Sequence, residues 1–174
     1  MYTENPNIDT FCHGMVTTAK ELITSQELIP VAYFMFEFKG KVETVRIPAV
    51  SMFMENNSTK ALLATHIKDQ WVYAKLKSQN QFKLMAVILL SDAYVVARPI
   101  ETLTDGSSLP MPSKQPDRME ALNLQIYMAE KKYGYMHIYK RVQGKIEFEP
   151  IQGGAEDYYD KRFLLDNLWP YSEK

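Results

Sequence analysis

The chain has 174 residues, of which 46% are hydrophobic and 24% are charged, and its formal net charge is −1 at pH 7. This length favours one domain with a continuous core, and the composition excludes wholesale disorder. A net charge so close to zero excludes a global field that attracts nucleic acid or an anionic membrane, so any such binding would depend on a local patch.

The number of cysteines and the length of the apolar runs indicate the cellular compartment of the protein. Cys12 is the single cysteine, which excludes an internal disulfide and fits a reducing environment. The first residues, MYTENPNIDTF, lack the pattern of a secretory signal, and no apolar run approaches the roughly 18–20 residues that span a bilayer. We therefore predict a cytoplasmic protein with no membrane partner.

The N-terminal segment has the pattern of an amphipathic helix. Apolar residues recur at spacings of three and four over Ile8–Ile23, and Asn5-Pro6 in front is a helix start signal. Gly14 interrupts this helix, which indicates a close packing contact at that position.

A β-hairpin and a second helix are predicted next. Val31–Phe38 is apolar on both faces, which predicts a strand inside its sheet that is covered on both sides. A turn at Gly40 leads to a second strand. Helical spacing resumes over Ser58–Ser78, where Ser58 or Thr59 is the predicted N-cap.

The second half of the chain predicts strands on either side of a long loop. The apolar stretch Leu84–Ala97 fits either one strand kinked at Ser91-Asp92 or two short strands. Three later segments alternate with period two and predict an antiparallel meander. These segments are Leu122–Ala129, Tyr133–Val142 and Lys145–Pro150. Gly153-Gly154 predicts a plain turn, followed by a short helix from Glu156 to Leu168.

This order of elements lacks the regular strand–helix alternation of a doubly wound fold. We predict a single α+β domain over residues 1–174, with a mainly antiparallel sheet and helices packed on it.

The polar segment Pro99–Arg118 is longer than the loops of about 2–6 residues that usually connect elements, so it is either functional or disordered. Asp92 precedes it inside an apolar strand, and a buried carboxyl group acquires the raised pKa of a general acid or base. With Arg98 and Asp117 at the ends of the loop, Asp92 would form the catalytic site of a small hydrolase or transferase. The structural alternative is a bulge or turn at Asp92 and local pairing of Asp117 with Arg118.

The predicted meander also offers a candidate nucleic-acid face. Its alternate side chains are Asn123, Gln125 and Tyr127 on one strand and Tyr135, His137, Tyr139 and Arg141 on the next. Aromatic residues interleaved with arginine on an open sheet stack single-stranded nucleic acid. The alternative is the ordinary solvated face of an antiparallel sheet.

The C-terminal stretch Tyr158–Tyr171 is rich in aromatic residues. Such apolar density packs either on the parent domain or on a second chain. In the second case Trp169 is the predicted interface residue, and the partner is another copy of the chain or a different protein.

Sequence motifs for cofactors and metals are missing. The chain has no dinucleotide fingerprint, no phosphate-binding glycine loop and no nucleophile elbow, so we expect no cofactor. His13, His66 and His137 are far apart in the sequence, which predicts no metal site. Cys12 falls on the buried stripe of the first helix, where an inert thiol is expected.

The run VILLSDAYVV, followed after the loop by PSKQPDRMEALNLQIY, resembles a family of uncharacterised bacterial and phage proteins. In that family an apolar strand ends in Ser-(Glu/Asp)-Ala-(Trp/Tyr), and a later Pro-Asp-Arg-x-Glu-Ala-Leu leads into another strand. The resemblance covers Pro30–Tyr127, and this chain has Asp92 and Tyr94 where Glu and Trp are commoner. It implies an α+β fold and a bacterial or phage setting, with no activity attached.

Together these patterns favour a non-enzymatic binding or regulatory protein of unknown function that acts through protein–protein contacts. Two alternatives stay open: single-stranded nucleic-acid binding on the sheet face of residues 122–149, and a small hydrolase or transferase site around Asp92 and the 99–118 loop.

Overall fold

A computed structural model describes residues 1–79, 81–96, 116–129 and 131–156. Its helices are α1 (Pro6–Leu22), α2 (Val50–Phe53) and α3 (Asn57–Lys77), and its strands are β1 (Val31–Phe38), β2 (Lys41–Arg46), β3 (Lys83–Val95), β4 (Met119–Tyr127), β5 (Lys132–Val142), β6 (Lys145–Phe148) and β7 (Gln152–Glu156). The prediction of an α+β domain with a mainly antiparallel sheet is confirmed.

The strands form one sheet in the order β2-β1-β3-β4-β5-β6, with antiparallel pairing throughout. The outer edge of β5 is shared between two strands: β6 pairs with Tyr139–Val142, and β7 pairs with Lys132–Met136. The hairpin β1–β2 and the long strand β3 therefore lie on one side of the sheet, and the meander completes the other.

The sheet has a hydrophobic core on each face. One core lies under α1 and contains Ile8, Cys12, Val16, Met35, Ile88 and Leu124. The other lies under α2 and α3 and contains Phe34, Phe36, Leu63, Ile67, Trp71 and Leu89. Strand β1 contributes alternate side chains to both cores, so its predicted position inside the sheet, covered on both sides, is confirmed.

Both long helices begin at an asparagine cap. The side chain of Asn5 accepts hydrogen bonds from the backbone N–H groups of Asn7 and Ile8. Asn56 caps α3 by accepting from the N–H of Thr59, whose hydroxyl lies 3.4 Å from the Asn56 nitrogen. The predicted caps Ser58 and Thr59 were therefore wrong, and Thr59 instead completes the capping box.

Strand β3 is continuous across Ser91-Asp92. Ser91 pairs with Asn123 and Asp92 with Leu122, in a register that runs without a shift from Val87 to Val95. The bulge or turn offered as the structural alternative at Asp92 is therefore absent, and of the two alternatives for this stretch the single strand is the correct one.

The two adjacent glycines belong to a strand. Gly153 pairs with Tyr135, and Gly154 pairs with Gly134. The predicted plain turn was wrong because close contact with β5 decides the local conformation. Glu156 ends β7, and residues 157–168 of the predicted terminal helix lie outside the described residues.

Candidate binding clefts on the two faces of the sheet

The structure describes two of the three predicted catalytic residues, Asp92 and Asp117. Arg98 lies outside the described residues, and Asp117 lies in the turn before β4. Asp92 is exposed as a residue, yet partial loss of hydration raises the pKa of its carboxyl group, and the negative charges of Glu27 and Glu120 raise it further. Neither Asp92 nor Asp117 lines either cleft described below. The raised pKa of Asp92 thus belongs to a carboxyl group outside both clefts.

The four predicted binding residues of β5 face α1. His137 is 1% exposed and Tyr139 is 4% exposed, while Tyr135 is half-buried and Arg141 is exposed. Tyr2 covers this part of the strand, with its ring 5.1 Å from that of Tyr135 and 5.8 Å from that of His137. The prediction of an open stacking face was wrong, because the N-terminal residues and α1 pack against it.

The other members of the predicted nucleic-acid face lie on the opposite side of the sheet. Gln125 pairs with Gly134 and Tyr127 pairs with Lys132, so these β4 side chains share a face with even-numbered residues of β5. Gln125 and Tyr127 are also buried, and the Tyr127 hydroxyl donates a hydrogen bond to the Gln125 side chain. Asn123 belongs to the same face as they do. The seven predicted residues therefore do not form one surface.

The β5 face contains a buried polar cluster that anchors the N-terminus. The Tyr2 hydroxyl and His137 Nε2 are hydrogen-bonded at 3.1 Å, and the Tyr135 hydroxyl donates to the Tyr2 carbonyl oxygen at 2.7 Å. Asp9 accepts hydrogen bonds from the backbone N–H groups of Tyr2 and Thr3. Burial lowers the pKa of His137 to about 4, and the positive charges of Lys20 and His13 lower it further. The imidazole of His137 is therefore neutral at neutral pH, and its hydrogen bond to Tyr2 holds the N-terminus against β5.

The remaining nucleophile and metal candidates are consistent with a packed core. Burial raises the pKa of the Cys12 thiol to about 12, as expected for an inert core cysteine. Within the described ranges no group of three or more His, Cys, Asp or Glu side chains could hold a metal ion. None of the helices in those ranges is both long and apolar enough to cross a membrane.

The first cleft, which we call the α1 cleft, lies between α1, the segment after it and the β1–β2 edge. Its volume is about 400 Å³. Most of its wall is apolar and includes Phe11, Met15, Leu22, Leu28, Val31 and Leu90. The polar groups of its lining include Glu27, Tyr33 and Arg46.

The second cleft, which we call the α3 cleft, lies on the opposite face between α3 and the β1–β2 hairpin. Its volume is about 410 Å³, and aromatic residues form nearly half of its lining. The aromatic lining residues are Phe34, Phe36, Phe38, Trp71, Tyr73 and Phe82. Its charged lining residues, Arg46 and Lys77, are both cationic.

The C-terminal half of α3 exposes large apolar side chains beside the α3 cleft. Tyr73 is 64% exposed, Leu76 is 69% exposed, and Val72 is also exposed. Residues three and four apart are neighbours on a helix surface, so these three side chains form a continuous patch. We call this patch together with the α3 cleft the α3 surface. A helix that presents apolar groups on its outer side is unusual for a surface element.

Sequence patterns located neither cleft. The helical spacing over Ser58–Ser78 predicted α3, and Ile67 and Trp71 are buried on its inward side. This spacing did not predict that Tyr73 and Leu76 are exposed beside a cleft. Gly14 was the one local indication of the α1 cleft, although it was interpreted as a packing contact.

Comparison with known proteins found no match: no family model, no curated protein and no solved structure is similar to this chain. The clefts are therefore interpreted from their own chemistry.

Proposed function

We propose that this chain is a non-enzymatic binding protein that acts through protein contacts and that its partner docks on the α3 surface. The observation that carries the proposal is the exposed patch of Val72, Tyr73 and Leu76 beside an aromatic cleft. Interface cores are enriched in aromatic residues, and a few buried aromatic anchors supply most of the binding energy.

The lining of the α3 cleft indicates the chemistry of the partner. Apolar walls favour aromatic or aliphatic side chains, and the positive charge of Lys77 favours an acidic group beside it. The segment DYYDKRFLLDNLWPYSEK at positions 157–174 of the same chain contains five aromatic and four acidic residues, beside three basic ones. It lies outside the described residues, and Trp169 is its predicted interface residue.

A second copy of the chain is the partner we propose. In this arrangement the segment 157–174 of each copy contacts the α3 surface of the other, which gives two identical contacts and a closed two-fold dimer. An aromatic segment of one copy thereby covers the apolar patch that α3 exposes in the other.

Size-exclusion chromatography with light scattering, over a range of protein concentrations, tests the proposal on the full chain. We expect a concentration-dependent dimer that Tyr73→Ser weakens by at least about thirtyfold, since truncating an aromatic anchor costs about 2 kcal/mol. Trp169→Ser should have a similar effect.

Leu62→Ser is the matched control for Tyr73→Ser. Leu62 is 56% exposed on α3 but does not line the cleft. It is eleven residues before Tyr73, about three helical turns away on the same side of the helix. A chain that is monomeric at all concentrations would refute the proposal. So would a dimer that Leu62→Ser weakens as much as Tyr73→Ser does.

A further inference from the structure

We infer that the α1 cleft is a second, separate site, which binds a small molecule with an aliphatic body and a single carboxylate group. This site lies on the opposite face of the sheet from the α3 cleft, and the two linings share Arg46 at the β2 edge and no other residue. The inference does not depend on the proposed protein contact. Three features carry the inference: an unfilled position in α1, an arginine at the rim and the size of the cleft.

Gly14 leaves part of the α1 cleft open. It lies in the middle of α1, where glycine costs about 1 kcal/mol relative to alanine. A Cβ atom at this position would meet no heavy atom within 4 Å, and the backbone has no left-handed conformation there. Neither packing nor backbone geometry within the described residues therefore requires glycine. Because Gly14 lines the cleft, the missing side chain provides room for a ligand.

Arg46 supplies a positive charge at the rim of the same cleft. It pairs with Tyr33 of β1, whose ring lies 5.2 Å from that of Phe11 in α1, so the Arg46 side chain is on the face of the sheet that α1 covers. Within the described part of the chain, the guanidinium group of Arg46 forms no hydrogen bond or ion pair. A guanidinium group binds a carboxylate through two parallel hydrogen bonds.

The remaining lining restricts the class of ligand. A volume of about 400 Å³ is at the small end of the range of ligand pockets, which is about 300–1,000 Å³. The apolar wall formed by Phe11, Met15 and Leu28 suits a hydrocarbon body. Glu27 also lines the cleft, and its negative charge disfavours a ligand with a second carboxylate.

Isothermal titration calorimetry of the full chain with decanoate, below its micellar concentration, tests the inference. The matched probe is 1-decanol, which has the same hydrocarbon length without the charge. We expect decanoate to bind at least about tenfold more tightly than 1-decanol, because a hydrogen bond to a charged group is worth that factor or more. Arg46→Gln should reduce the affinity for decanoate to that for 1-decanol.

Two substitutions of the same glycine locate the binding. Gly14→Leu should fill the cleft and weaken decanoate binding at least tenfold, while Gly14→Ala should change it by no more than about twofold. Both variants should fold, since either residue favours a helix more than glycine does. Unchanged decanoate binding by Gly14→Leu would overturn the inference. So would equal affinities for decanoate and 1-decanol, or a loss caused by Tyr73→Ser, which would place the binding in the α3 cleft.

Discussion

Replacing Gly153 with alanine should destabilise the fold through one strand contact. Gly153 has φ +128°, a conformation that side chains rarely adopt. A Cβ atom there would overlap the carbonyl oxygen of Gly134 and lie 2.9 Å from Tyr135 Cα. Both neighbours are backbone atoms of β5, so rotation of a side chain cannot relieve the overlap.

The size of the effect has a lower and an upper limit. Backbone strain of this kind costs about 1–3 kcal/mol. The upper limit is the release of β7, which pairs with five residues of β5, at a net value of about 1 kcal/mol for each hydrogen bond. We expect a loss of about 3 kcal/mol, which lowers the melting temperature by about 6–12 °C for a chain of this size.

Thermal unfolding followed by circular dichroism measures the change, and Gly154→Ala is the matched control. Gly154 lies in the same strand, but a Cβ atom there would meet nothing within 4 Å. The control should shift the melting temperature by less than about 2 °C, because substitutions without a clash or a lost contact usually change stability by under about 0.5 kcal/mol. Equal melting temperatures for the two variants would refute the close approach of β7 to β5.

Two further predictions concern pH and helix capping. The pKa of His137 is lowered from 6.5 to about 4 in the folded chain, so the unfolded chain takes up the proton first as the pH falls. The free energy of unfolding is therefore undiminished by this group above pH 6.5, and it falls by on the order of 3 kcal/mol as the pH decreases to 4. Urea titrations across this range should show a smaller loss for His137→Gln than for the unsubstituted chain. Equal dependence of the unfolding free energy on pH in the two chains would contradict the buried imidazole. Asn56→Ala should cost about 1 kcal/mol in the same assay because it removes the cap of α3. Ser58→Ala should cost less than half as much, and the reverse order would show that the cap had been assigned to the wrong residue.

Local patterns predicted elements where one periodicity dominates. The buried residues of α1 follow the spacing of three and four that the sequence shows; they are Ile8, Cys12, Val16 and Ala19. Strand β1 alternates between two apolar faces, and the structure covers both. In these segments the pattern and the tertiary packing require the same conformation.

The face of the meander could not be predicted because it depends on register. Alternation shows which residues of one strand share a face, but the connection between two strands decides which faces coincide. Here Tyr127 pairs with Lys132, so odd-numbered residues of β4 lie beside even-numbered residues of β5. A shift of one residue would have reversed the assignment of Tyr135 and His137. The same limit applies to Gly153, whose conformation depends on a strand about twenty residues away.

The candidate sites were still harder to predict from the sequence. Asp92 was predicted as a catalytic residue because it interrupts an apolar run, yet it lines neither cleft. Arg46 and Gly14 are distant in sequence and share the α1 cleft only because the fold places β2 and α1 on two sides of it. Tyr73 has no local pattern that distinguishes a docking residue from a solvated one.

Photochemical cross-linking from position 73 is the most direct test of the proposed protein contact. The full chain with Tyr73→p-benzoylphenylalanine would be mixed with an equal amount of ¹⁵N-labelled unsubstituted chain, irradiated and mapped by mass spectrometry. We expect cross-links that join position 73 to residues 157–174 of the labelled copy, with little product from the same substitution at Leu62. Cross-links confined to one copy, or equal yields from positions 62 and 73, would contradict docking of a second copy on the α3 surface.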